Sequence, residues 1–241
     1  MSAARVVKPA PELTAPVEDY LKAIYELERS GEAAETNAIA RLLAIAPASV
    51  SGMVRRLAAQ GLITHERYHG ARLTAAGRRA ALRTIRRHRV IESYLTSALG
   101  YSWDRVHDEA ERLEHAASDE LIDRMAAAIG EPETDPHGAP IPTREGRVQE
   151  ERTLVPLGTL EPGTWARVER VSDESAERLR YFAELGVVPG AVVQVIGREP
   201  FDGPIALLVQ DTERSVGPPL AALVLVAPVP PPLAKRARSS R

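Results

Sequence analysis

The period of the apolar residues changes once along this chain. Between residues 17 and 129 they recur mainly every three to four positions, interrupted by one short run at 62–74, and after residue 154 they cluster in runs of five to seven. Residues 131–150, EPETDPHGAPIPTREGRVQE, lie between the two patterns and carry four prolines with almost no apolar periodicity. A spacing near 3.6 residues buries one face of a helix, whereas short β-rich runs pair into a sheet. The chain is therefore expected to fold as a helical part, a linker and a small β part.

Its 241 residues are 44% hydrophobic, enough to bury real cores and too apolar for a disordered chain. With Cys at 0, disulfides and thiolate zinc sites are excluded. No run reaches the roughly 20 apolar residues of a membrane span, and the first residues show no signal-peptide core. The expectation is a cytoplasmic protein without membrane contact.

The helical part begins near Val17, with Tyr20, Leu21, Ile24, Tyr25 and Leu27 on one stripe. A second short helix follows Thr36, read as its N-cap, and a third opens at Pro47 and stops at Gly61. Residues 62–68 and 71–74 read as a hairpin turning at His69-Gly70. Two short helices, a glycine and a hairpin follow the order of a winged helix-turn-helix. Small residues at the start of the third helix (Pro47, Ala48, Ser49, Ser51 and Gly52) would let that end enter a major groove. Arg55 and Arg56 stand a turn further on for phosphates, and Arg67 and Arg72 flank the wing. Thr36 is counted with this DNA-facing set. Charge agrees: residues 1–90 carry 15 Lys+Arg against 8 Asp+Glu, residues 91–150 carry 5 against 14, and the remainder 11 of each.

Two longer helical stretches follow, roughly 75–98 and 103–129. On the second, His107, Glu111, Glu114 and His115 fall within an arc of roughly 100° at 3.6 residues per turn, beside an apolar stripe. His88 and Glu92 stand four apart on the first. Imidazoles and carboxylates at these spacings suit a divalent transition metal. His65 and His69 read as surface or phosphate-contacting residues, and His137 as a turn residue. The β part shows runs at 165–171, 192–196, 205–209 and 222–226 with one helix near 173–185, which suggests a small barrel. No nucleophile elbow, P-loop or dinucleotide fingerprint is present, so an enzyme is not expected.

Together these segments resemble the diphtheria-toxin-repressor family of metal-dependent transcriptional repressors. VEDYLKAIYEL resembles its first helix, IARLLAIAPASVSGMVRRLAAQGLI its helix-turn-helix, and LTAAGRRAA the segment leaving the wing. RRHRVIESYL, WDRVHDEAERLEH and DPHGAPIP are similar to its dimerisation and metal-binding stretch, and AELGVVPGAVVQV to its SH3-like domain of the ferrous-transport A type. The resemblance implies a mainly α fold with β. Its parts are a disordered tail at 1–13, a winged helix-turn-helix at 14–80 and a helical dimerisation and metal-binding domain at 81–130. A linker at 131–152, an SH3-like small β-barrel at 153–228 and a basic tail at 229–241 complete it.

The same resemblance implies a primary site of Asp19, Glu111, Glu114 and His115, and an ancillary site of His88, Glu92 and His107. Asp173 and Glu174 are the candidates by position for a further ligand from the SH3-like domain. Iron-sensing members carry Met and Cys where this chain has Asp19 and Glu111, whereas manganese-sensing members carry acids. Two hard carboxylates in place of sulfur favour Mn(II), with Fe(II), Co(II) or Zn(II) as alternatives. Lys22 stands where the manganese branch often has one more carboxylate, which opposes a closely spaced dinuclear site.

The expected function is repression of metal-uptake genes by a homodimer that binds double-stranded operator DNA when loaded with metal. No small organic substrate is expected. The alternatives are a metal-delivery protein that uses its winged helix for protein contacts, and a repressor sensing an organic ligand in the barrel.

Overall fold

A computed structural model describes residues 13–66, 70–149, 153–172 and 175–232. Arg67, His69, Asp173 and Glu174 lie outside the described residues, as do the expected tails apart from Leu13 and residues 229–232. The chain divides into two compact units. One holds residues 1–87, 113–117 and 142–147, and the other residues 88–112, 118–141 and 148–241.

In the first unit, α1 (Ala15–Ser30) buries Val17, Tyr20, Leu21, Ile24 and Leu27 and ends at Gly31, whose φ of 77° closes the helix. α1 packs on α2 (Thr36–Leu42), and α2 packs on α3 (Pro47–Ala59). The axes of α2 and α3 meet at 109°, within the range of a helix-turn-helix. The N-cap of α2 is Glu35 with extended backbone, so Thr36 is its first helical residue and not the expected cap. α3 turns Val50, Val54 and Leu57 inward, which leaves its opposite face free. The hairpin β1 (Ile63–Glu66) and β2 (Gly70–Leu73) pairs Ile63 with Leu73 and Glu66 with Gly70.

α4 (Ala75–Leu99) contributes its first half to this unit and its second half to the other. The expected single helix over 103–129 is two: α5 (Val106–Leu113) and α6 (Asp119–Ala128). Residues 114–116 form a turn between them, and Ser118 caps α6 by accepting from the Leu121 N–H. Apolar periodicity carries on across this break, which hides it from a reading of spacing alone.

In the second unit residues 131–141, part of the proline-rich stretch, form an ordered loop. Asp135 Oδ1 accepts from the backbone N–H groups of His137 (2.8 Å) and Ala139 (3.0 Å), an Asx-type turn that buries all three residues. His137 O accepts from Val171 N, and Gly138, at φ 88°, comes so close to Glu169 O that a Cβ there would lie 1.9 Å from it. Within the stretch read as a linker, residues 137–138 are thus docked on β4 (Trp165–Val171).

The remainder is a six-stranded antiparallel sheet in the order β3-β8-β4-β5-β6-β7, with β3 (Val155–Pro156), β5 (Val192–Arg198), β6 (Ile205–Val209), β7 (Thr212–Val216) and β8 (Val224–Pro228). α7 (Ala176–Leu185), capped by Ser175 and closed by Gly186, lays Leu179 and Phe182 on the core of Val168, Val193, Val195, Leu207 and Val226. β7 was not expected because only Val216 of its TERSV is buried. No single helix among the described residues is long and apolar enough to cross a membrane.

Candidate metal centre and DNA-reading surface

The face of α3 expected to meet DNA is open. Pro47, Ala48, Ser49, Ser51, Gly52, Arg55 and Arg56 are all exposed, as is Arg72 on β2, while Thr36 is half-buried. A Cβ at Gly52 would meet nothing within 4 Å. The fold therefore spares these side chains for a partner.

Three of the expected ligands come together within the first unit. Asp19 on α1 and the pair Glu114-His115, in the turn after α5, offer ligand atoms within 4.8 Å of one another. His115 Nε2 lies 2.8 Å from Asp19 Oδ1 and 3.5 Å from Glu114 Oε1. Two neighbours complete the group. Glu18, buried one residue before Asp19, approaches His115 Nδ1 at 2.7 Å and Arg87 Nη1 at 3.5 Å. Lys22 Nζ bonds both oxygens of the fully buried Glu114, at 3.1 and 3.2 Å. Burial disfavours a charged His115, but the hydrogen bond to Glu18 and the carboxylates of Asp19 and Glu114 outweigh it and raise its pKa.

A second group forms in the other unit. His88 Nε2 lies 3.0 Å from Glu92 Oε1 and 3.2 Å from His107 Nδ1, which itself lies 3.4 Å from Glu92 Oε1. Ligands about 2.1–2.3 Å from one ion and 90° apart are separated by about 3.0–3.3 Å, so this triangle fits a divalent metal. Glu111 Oε1 is 3.7 Å from His88 Nδ1 and 3.9 Å from His107 Nε2, so it accompanies these imidazoles here.

The other oxygen of Glu92 faces a further group that spacing did not reveal. Glu92 Oε2 is buried without a hydrogen bond among the described residues, 3.7 Å from His137 Nδ1, and Asp135 completes a third ligand-type group. His137 does sit in a turn, as read, yet its ring is fully buried, stacked on Trp103 at 5.6 Å, with Nε2 donating to Trp103 O at 2.8 Å. Arg89 is the nearby cation, its Nε 3.5 Å from Asp135 Oδ2. Burial pushes Glu92 toward its neutral form, but the imidazoles of His107, His137 and His88 outweigh that and hold the carboxyl well below the usual range.

Sequence reasoning did not bring Glu18 or Asp135 into these groups and read His137 as a turn residue. For Glu18 a signal existed: positions 18, 21 and 25 share one face of α1, so a carboxylate sits in the apolar stripe. For His137 the signal was the Asp-x-His-Gly turn in a stretch read as linker.

Residues 12–71 match the N-terminal DNA binding domain of iron dependent repressors, and residues 74–143 match their metal binding and dimerisation domain. Residues 155–228 match the FeoA domain. The diphtheria toxin repressor of Corynebacterium jeikeium (strain K411) is 32% identical over 210 residues, covering 78% of this chain and 88% of the relative. This chain belongs to the iron-dependent repressor family. The family consists of metal-dependent transcriptional repressors, not enzymes. The iron-dependent repressor IdeR of Mycobacterium tuberculosis (strain CDC 1551 / Oshkosh) is also 32% identical, over 199 residues, with 76% of this chain and 85% of the relative covered. Among solved structures, a manganese-dependent transcriptional repressor in complex with manganese superposes with a TM-score of 0.83 at 38% identity, covering 88% of this chain and 100% of the other. The T. acidophilum IdeR superposes at 0.73 with 30% identity, covering 94% and 100%. As a member of the iron-dependent repressor family the chain has the expected architecture: a DNA-binding domain, a helical dimerisation domain and a C-terminal SH3-like FeoA domain.

Proposed function

We propose that this repressor responds to Mn(II) and, as a metal-loaded homodimer, binds operator DNA ahead of metal-uptake genes in the cytoplasm. The observation that carries the reading is the sulfur-free group of Asp19, Glu114 and His115, built in the same compact unit as α3. Carboxylate oxygen and imidazole nitrogen suit Mn(II) over softer ions, and nothing in the donor set offers sulfur. Relatives described as iron-dependent and a structural neighbour containing manganese make the choice of metal the point to test.

Asp19, Glu114 and His115 would hold the ion. His88, Glu92 and His107 would form an ancillary site, and Glu92, Asp135 and His137 another ligand set beside it. A bound ion would supply positive charge between the half-exposed Asp19 and the buried Glu114. Asp19 would then tie α1 to the turn after α5. One orientation of the two reading helices in the homodimer is favoured by the coordination free energy. Pro47, Ala48, Ser49, Ser51 and Gly52 would lie against base edges, with Thr36, Arg55, Arg56, Arg67 and Arg72 toward phosphates.

A mobility shift with promoter duplexes of metal-uptake genes tests the reading. Binding is expected with Mn(II), to vanish with chelator, and to be lost in Asp19→Ala although that variant remains a folded dimer. Equal shifts with and without chelator would refute it, and tighter activation by Fe(II) at equal free metal would reassign the ion.

A further inference from the structure

Resting on that reading of the first metal group, we infer that Glu18 is the residue that positions His115, by holding a proton on Nδ1 and leaving Nε2 as the ligand atom. Glu18 and Asp19 are neighbours on α1 with opposite roles. The Glu18 side chain is 8% exposed and Asp19 38%. A carboxylate can only accept, so at 2.7 Å from Glu18 Oε2 the His115 Nδ1 must be the donor. The second oxygen of Glu18 is 3.5 Å from Arg87 Nη1, a buried guanidinium on α4. That contact fixes the carboxylate from behind and keeps it a structural partner.

The other ring nitrogen faces the remaining ligands, Asp19 Oδ1 at 2.8 Å and Glu114 Oε1 at 3.5 Å. The imidazole has one anchored, buried side and one half-open, carboxylate-lined side. An ion that enters takes Nε2, while Nδ1 keeps its proton because its acceptor is held by Arg87. This is the carboxylate–histidine arrangement that fixes tautomer and ring orientation in metal sites and raises the basicity of the ligating nitrogen. Glu18 acts through His115 and is a positioning residue, not a ligand. It also reaches from α1 to α4, so the ring is set only when both helices are in place.

The test uses the full-length chain and three proteins: wild type, Asp19→Ala and Glu18→Gln. Mn(II) binding is measured by calorimetry with a competing chelator. The His115 tautomer is read from imidazole ¹⁵N shifts of the protein loaded with diamagnetic Zn(II). An amide can either accept from Nδ1 or donate to it, so Glu18→Gln removes the preference while keeping the shape. Glu18→Gln is expected to weaken Mn(II) binding by about 10- to 100-fold, the usual cost of losing such a partner. Wild type should show Nδ1–H with metal on Nε2, and the variant a mixture.

If Asp19→Ala weakens binding but Glu18→Gln stays within about twofold of wild type, the inference about Glu18 fails and the site reading stands. Weaker binding with an unchanged tautomer, or metal on Nδ1 in wild type, also overturns it. If Asp19→Ala binds like wild type, the site reading itself fails. Should Glu18→Gln not fold, Glu18→Gln combined with Arg87→Met replaces the pair by groups of similar size, and the same two readouts decide.

Discussion

Lys22 is the residue on which the metal-free and metal-bound proteins compete most directly. Its ammonium bonds both oxygens of Glu114, a carboxylate with no exposed surface that the proposed metal site also uses. An ion must therefore share or displace a resident cation before it can use Glu114. Lys22→Met should lower the stability of the chelator-treated protein by about 1–3 kcal/mol, the cost of taking one partner from a buried charged hydrogen bond. The same variant should bind Mn(II) more tightly. Urea midpoints measured with chelator and with Mn(II) check both: the midpoint drops in the first condition and recovers in the second. The sequence showed Lys22 as a departure from a pattern but could not show which acid it would meet. Glu114 is 92 residues away, and only the fold joins them.

Single elements were legible where one period ruled and illegible where two rules overlapped. α1, α3, α4 and α7 fall where spacing and glycine stops put them. The break between α5 and α6 was invisible because Ala110, Ala117 and Ile122 continue a buried stripe across it. It matters chemically: Glu114 and His115 leave the helix register and reach the first unit from a turn. The loop at 131–141 was illegible for another reason. Prolines and acids mark it as open chain, whereas Asp135 satisfies its own turn and Gly138 permits contact with β4. Gly138→Ala would force a methyl against Glu169 O at a φ of 88°. It should destabilise the protein by about 2–4 kcal/mol, combining a backbone penalty with overpacking. Trp103 stacks on His137 in that loop, so its fluorescence should report the loss before global unfolding.

Across the whole molecule, charge is segregated so that the reading module attracts a polyanion and the next stretch attracts cations. Residues 1–90 carry a net +7 and residues 91–150 a net −9, from 15 against 8 and 5 against 14 charged residues. Arg55 and Arg56 put part of the positive charge on the exposed face of α3. Arg55→Ala should weaken binding to operator and random duplex alike, and lower the slope of log affinity against log salt by about one per protomer. Fluorescence anisotropy over a salt series measures that slope, and a variant with the wild-type slope would move the phosphate contact elsewhere. By linkage, DNA that prefers the metal-loaded form must raise metal affinity by the same factor.

Among the described residues, the outward side chains of α3 are exposed, and a Cβ at Gly52 would meet nothing within 4 Å. Such a helix can be rewritten one letter at a time without loosening the scaffold that carries it. Descendants of this chain are free to change the promoters they answer to while keeping the same chemical sensor.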